Sequence, residues 1–293
     1  MKLKKINFIK TLWGLELDFS SRETIRSALL SYKKEGFDGI EVATGFFPIE
    51  HKLLFNQIRK ELDLKLITQI HTMGYPVLNY KVDDHLKDFE QKIEDCKSWE
   101  ADHINCHSGR DTFSFEENIR FFEQVEKLEE EFSYKNPNIS ISHETHRQRS
   151  LYSPWTSNDI IKKCQKFKLT SDISHWIVVA ERFLDKNNDN IWKELLDNLS
   201  RRTKLIHARV GTPNSIQVHM PKNDCENTKY FENLWNDILL ETKESEIFIT
   251  PEYGPYPYKP LLINSKGELY DNNQDLNETV LIALNRLKKL FLL

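Results

Sequence analysis

Short apolar runs and longer amphipathic stretches alternate along the whole chain. KINFIK (5–10) precedes the helix-type stretch SRETIRSALLSYKKEG, in which Ser21 suits an N-cap and Gly36 a C-cap. The same pair of signals then recurs seven times. Strands are predicted at 38–43, 64–71, 102–107, 138–144, 168–173, 204–210 and 246–252. The helices that follow them are predicted at 48–62, 82–98, 114–132, 157–166, 187–199, 228–242 and 276–290. Strict alternation predicts a parallel sheet with helical crossovers. Eight such units in 293 residues predict a single closed (β/α)8 barrel, one domain over 1–293. A doubly wound open sheet is the alternative, but no glycine-rich phosphate loop follows the first strand.

Composition narrows the classes of function. The chain holds 41 Lys and Arg against 45 Asp and Glu, a net charge of −4, and gives no electrostatic reason to expect a polyanion. No apolar run approaches the roughly 18 residues of a membrane span. The start, MKLKKINFIKTLWGLELDF, is interrupted by Lys10 and Glu16 and does not read as a signal peptide. Cys96, Cys106, Cys164 and Cys225 are scattered without a CxxC pair, which predicts reduced thiols and a cytoplasmic protein. The acidic run EKLEEEF (126–132) reads as a solvated helix face.

Candidate chemistry sits at the strand ends, since the C-terminal rim of the strands carries the active site of a barrel. Strands two to eight end on Glu41, His71, His107, Glu144, Asp172 (with His175 just after), His207 and Glu252. Stepping back by two from these gives Gly39, Gln69, Asn105, Ser142, Thr170, Leu205 and Thr250, mostly small or polar. The opposite parity gives Ile40, Ile70, Ile104, Cys106, Ile141, Ile206 and Ile249, which suit packing against outer helices. The ionisable set therefore points into the barrel mouth. Burying it costs several kcal/mol per group unless the groups are paired or bind metal. Glu144, Asp172, His207 and Glu252 form the best ligand set for one divalent cation. Its oxygen-rich donors favour Mn²⁺, Mg²⁺ or Co²⁺ over a thiolate-type zinc site. A plain ion-pair network is the alternative, and Arg209 is the one obvious cation for it.

The remaining candidates divide less sharply. His71 and His107 are metal ligands, supports for the ligands or substrate contacts. Glu41 is a substrate contact or a salt-bridge partner, for example of Arg110. His143 has outward parity and reads as a core histidine facing a helix. His146 and Arg147 fall in the loop after strand five, solvated by default. His51, His85 and His103 read as surface residues.

The Glu of HET (Glu144), the D-x-x-H of Asp172 and His175, the His of HAR (His207) and the PE of Glu252 together resemble the xylose-isomerase-like TIM-barrel superfamily. That superfamily contains sugar isomerases and epimerases as well as apurinic-site endonucleases. The resemblance implies one metal, Mn²⁺ as first choice with Mg²⁺, Co²⁺ or Zn²⁺ as substitutes. It implies a small-molecule sugar or sugar derivative as substrate. Glu144 and Glu252 would be the acid/base pair as well as ligands, and the reaction would be proton abstraction beside a metal-chelated carbonyl, through an enediolate. His175 would contact a substrate hydroxyl and Arg209 a substrate oxygen. Trp13, Phe46, Trp155, Trp176 and Tyr253 lie near the expected mouth and could stack on a sugar ring. A keto-sugar lyase or hydratase fits the same metal site. The endonuclease branch carries three zincs; His71 and His107 match its histidines, but Gln217 stands where its D-x-H motif before His219 needs Asp. Nucleic acid is thereby disfavoured. The substrate reads as non-phosphorylated, for want of a phosphate loop. A homo-oligomer stays open.

Overall fold

The computed structural model describes residues 4–15, 17–74, 77–187, 190–219, 224–271 and 275–292. Eight parallel strands close into a barrel in sequence order: β1 (Lys5–Thr11), β2 (Gly39–Ala43), β3 (Lys65–His71), β4 (His103–His107), β5 (Ser140–Glu144), β6 (Leu169–Ser171), β7 (Thr203–Ala208) and β8 (Glu246–Pro251). Closure comes from β8 pairing with β1, with Ile6 opposite Ile247 and Phe8 opposite Ile249.

Around the barrel run α1 (Arg22–Glu35), α2 (Lys52–Glu61), α3 (Val82–Lys97), α4 (Phe115–Lys135), α5 (Pro154–Lys163), α6 (Ile173–Ala180), α7 (Asn190–Arg202), α8 (Glu226–Glu241) and α9 (Leu276–Leu292). The caps follow the sequence signals. Ser21 caps α1 through the Thr24 N–H, and Gly36 closes it at φ 99°, a left-handed conformation that suits glycine. Three pieces go beyond strict alternation: α6, a 3-10 turn at Ile49–His51, and an antiparallel hairpin of β9 (Leu261–Ile263) and β10 (Leu269–Asp271). The helix α6 begins immediately after Asp172, whose side chain caps it by accepting the Ser174 N–H at 3.1 Å.

Strand parity divides the core. Ile70, Ile104, Cys106, Ile206 and Ile249 join the large cluster under the helices, and Ile40 and Leu66 join a second cluster under α1 and α2. Ile9, Ile67, Leu205 and Phe248 form a separate small cluster that plugs the barrel interior. That plug leaves the other end of the interior to polar side chains.

Several expectations are corrected here. His85 is fully buried, because it shares the α3 stripe Val82, His85, Phe89, Ile93 that faces the core. His103 is also fully buried; it has the inward parity of Asn105 and His107, and its two ring nitrogens meet the hydroxyls of Ser140 and Ser142 at 2.8 and 2.7 Å. The acidic run on α4 is only partly a solvated face. Glu126 accepts the Lys166 and Phe167 N–H groups, and Glu129 pairs with His143 at 2.6 Å. His143 is buried and faces that helix, as its parity predicted. All four cysteines are free, and no helix of the described residues is long and apolar enough to cross a membrane.

Candidate active site

The last residues of β3, β4 and β5 are His71, His107 and Glu144; His207 is next to last in β7; Asp172 and Glu252 directly follow β6 and β8. Parallel strands in register therefore bring them to one rim, with Glu41 of β2 beside them. Glu41, Glu144, Asp172, His175, His207, Arg209 and Glu252 are all buried. Ligand atoms of Glu144, Asp172 and His207 lie within 4.8 Å of one another, and Glu252 Oε2 lies 3.1 Å from His207 Nδ1.

Three carboxylates surround the His207 ring: Glu41 Oε1 at 3.1 Å from Nε2, and Glu144 Oε2 and Glu252 Oε2 at 3.5 and 3.1 Å from Nδ1. Burial lowers the His207 pKa, but these charges outweigh it and hold it well above the usual imidazole value. Burial raises the Glu144 pKa, yet His107 and His207 hold it well below the carboxylate range. For Glu252 burial is again opposed, by Arg209 and then His207, which bring it to about 2. Asp172 goes the other way, to about 6: desolvation and the nearby charges of Glu252 and Glu144 exceed the pull of Arg209.

Arg209 is the cation of this cluster. Its Nε meets Asp172 Oδ2 at 3.1 Å and its Nη2 meets Glu252 Oε1 at 2.6 Å. The guanidinium lies over the rings of Tyr258 and Trp13, 4.9 and 5.4 Å from their centroids. Glu41 does not pair with Arg110. It instead accepts the Thr250 hydroxyl at 2.8 Å besides meeting His207, because closure of the barrel through β1 brings β2 within two strands of β8 and three of β7.

Not every buried polar atom finds a hydrogen bond. His107 Nε2, His207 Nδ1, Glu252 Oε2 and both ring nitrogens of His175 have no hydrogen-bond partner. His107 Nε2 lies only 2.8 Å from Glu144 Oε2, but without hydrogen-bond direction. Likewise His207 Nδ1 and Glu252 Oε2 lie 3.1 Å apart and His175 Nε2 lies 3.5 Å from Asp172 Oδ2, so these atoms face charged partners in poor hydrogen-bond geometry.

The rim opens into a cavity of about 670 Å³. Its floor includes Glu41, Gln69, His71, His107, Glu144, Arg209 and Glu252; its walls include Trp13, Phe46, His146, Arg149 and Tyr258. Trp176 is not part of it: the ring is fully buried under the barrel helices, with its indole N–H on the Leu151 carbonyl at 2.9 Å. Position 176 is turned about 100° from His175 on α6, which carries its ring away from the rim and into the core. Trp155 stands on the outer surface against Trp192, and Tyr253 is buried with its hydroxyl on His219.

His146 is the residue that sequence reasoning undervalued. It lines the cavity, with its ring centroid 4.0 Å from that of His175 and 4.5 Å from that of His107. Its spacing of two from Glu144 carried the inward parity. Tyr258 was missed altogether, since it lies in an irregular segment beyond β8, where no period applies.

No family model matches the chain, and no curated protein matches it in sequence. Solved structures do. The D-allulose 3-epimerase from Methylomonas sp., in complex with D-allulose, gives a TM-score of 0.61 at 13% identity, over 98% of this chain and 97% of that one. A xylose isomerase-like TIM-barrel protein from Mycobacterium smegmatis, in complex with magnesium, gives 0.60 at 12% identity, over 97% and 95%. The IOLI protein with a bound zinc atom gives 0.62 at 12% identity, over 97% and 98%. Coverage from end to end, with eight strands closing in sequence order, shows that this chain has the fold of the xylose isomerase-like TIM-barrel proteins.

Proposed function

We propose that this chain is a divalent-metal-dependent enzyme acting on a sugar or sugar derivative, an isomerase or epimerase that moves a proton beside a carbonyl. The observation that carries the reading is the convergence of Glu144, Asp172 and His207 within ligand reach of one another, with Glu252 Oε2 3.1 Å from His207 Nδ1 yet outside hydrogen-bond geometry. These residues fit a cation. Three carboxylates supply hard oxygen donors and His207 an imidazole, and with His207 neutral as a ligand Arg209 alone offsets the four buried carboxylates, Glu41 included. Mn²⁺ is the first choice on the donor set, with Mg²⁺, Co²⁺ and Zn²⁺ as substitutes. When bound, the cation would polarise a carbonyl and stabilise the charge that develops on its oxygen.

The chain's own groups do the rest. Glu144 on β5 and Glu252 beyond β8 stand apart on the rim, separated by β6 and β7. Both are held ionised, which suits either as the base. The one that removes the proton becomes the acid that hands it back, and delivery from the other glutamate requires that group first to take up a proton from solvent or a substrate hydroxyl. Return to the opposite face inverts the carbon; return to the neighbouring carbon moves the carbonyl. His71, His107 and Glu41, which line the cavity, would contact hydroxyls, and Arg209 a substrate oxygen; His175 is fully buried outside that lining and would act through its neighbours Asp172 and His146. The epimerase among the structural neighbours holds a ketose, which supports a sugar here. Four free thiols suit a cytoplasmic setting.

The three-zinc phosphodiesterase alternative is weakened at Gln217. Its amide is an uncharged donor set and is already used: Nε2 donates to the Gly254 carbonyl at 3.0 Å, and Oε1 accepts the Gly254 N–H at 2.8 Å.

The test is metal content of protein purified without chelator or affinity metal, followed by solvent-deuterium exchange into a ketose panel. About one divalent ion per chain, with exchange abolished in a folded Glu144→Gln variant, is expected. About three zincs per chain, or a fully active Glu144→Gln enzyme, would overturn the assignment.

A further inference from the structure

The cavity has two unlike halves. Its polar side chains gather on the strand-end floor. The flank built by the loops after β1 and β2 is apolar: Leu12, Leu15, Leu17, Phe19, Phe46 and Phe47 all line it. Trp13 aside, the described residues that these two loops give to the cavity carry no hydrogen-bonding side chain. The flank is also preformed. Phe19 packs edge-on against Phe47 and flat on His51, and Phe47 packs edge-on against Phe55 and Trp99. Phe46 in contrast is 70% exposed and turns an edge towards His71 on the floor.

A free sugar matches only half of this. Its hydroxyls can be met along the floor, but on the flank they would lose water with nothing to replace it. The volume, about 670 Å³, lies in the range that holds drug-sized ligands. The flank is continuous with the floor, so one molecule can occupy both. The geometry points to a substrate that joins a polar sugar head, seated on the floor, to an alkyl or aryl substituent, seated between the β1 and β2 loops. This rests on the sugar-enzyme reading and narrows its substrate class.

The test is a homologous series of n-alkyl β-D-glucosides, methyl to octyl, kept below micelle formation. Binding to the full chain loaded with Mn²⁺ is followed by titration calorimetry. Each buried methylene should tighten binding about fourfold, whatever the contribution of the head group. Leu17→Asn and Phe46→Asn should each flatten that dependence. Phe46 is so exposed that its replacement leaves the fold intact, and circular dichroism checks both variants. A series flat in the wild type, or a steep one that neither variant changes, overturns the proposal. So does sedimentation showing self-association that Phe46→Asn abolishes, because the flank would then seat a second copy. Metal content of the same protein reports separately on the sugar-enzyme reading: three zincs per chain, or none after reconstitution, sinks that reading, whereas one divalent ion with a flat alkyl series sinks only the appendage.

Discussion

Replacing Gly254 with alanine would place a Cβ 2.1 Å from two ring carbons of Trp13, far inside van der Waals contact. The backbone has little freedom to give, because the Gln217 amide holds both the N–H and the carbonyl of Gly254, at 2.8 and 3.0 Å. Trp13 must move instead. It is half-buried and borders the cavity, so it can swing, but it leaves its edge-on contact with Tyr258, now 5.0 Å between centroids, and its place beside Arg209. Overpacking of this kind costs about 1–3 kcal/mol and the aromatic pair about 1 kcal/mol. A net loss of about 2 kcal/mol corresponds to about 3 °C in Tm for a chain of this size. The cavity wall shifts as well, so KM for the sugar should rise about tenfold, the equivalent of roughly 1.4 kcal/mol. Thermal denaturation, tryptophan fluorescence and steady-state kinetics read the three effects. Adding Trp13→Leu should restore the Tm without restoring KM. Wild-type Tm together with wild-type KM in Gly254→Ala would refute the clamp.

Other consequences are equally direct. Chelation should lower the Tm and Mn²⁺ should restore it, by about 2.7 kcal/mol of stability at a hundredfold excess over Kd; a Tm indifferent to both would remove the metal from the argument. His85 is packed against Phe113 and Phe121, and burial, then the charges of Arg149 and Arg110, push its pKa down from 6.5 to about 4. Between these values the unfolded chain binds a proton that the folded chain lacks. Stability is therefore whole above 6.5, falls by up to about 3 kcal/mol as the pH drops to 4, and levels off below. Denaturant titrations of His85→Gln should show that part of the fall removed, and an unchanged curve would count against it. Trp176→Ala should cost about 3–5 kcal/mol as a core deletion. If the variant folds it should keep its metal stoichiometry and its KM; a selective KM defect would return Trp176 to the substrate site.

What the sequence determined by itself is what local periodicity controls. Alternation of apolar runs and amphipathic stretches marked the eight strands within three residues of their observed ends. Parity along each strand separated Glu144 and His207 from Ile141 and Ile206. The same rule, carried further, placed His103 and His146 inward, so those two were legible and misread. His85 was legible too, on the i, i+3, i+7 stripe of α3. Closure of the barrel decided the rest. Glu41 meets His207 and Thr250, residues 166 and 209 positions away, because β1 joins β8 and so brings β2 within two strands of β8 and three of β7. No short-range pattern encodes that encounter, and a salt bridge to Arg110 looked as plausible. The same holds for the loops: the aromatic residues near the strand ends are alike in sequence, yet Trp13 and Phe46 face the cavity while Trp155, Trp176 and Tyr253 do not. A strand's period fixes which way its side chains point, whereas an irregular segment takes its direction from the surfaces it packs on, and those exist only once the chain has folded.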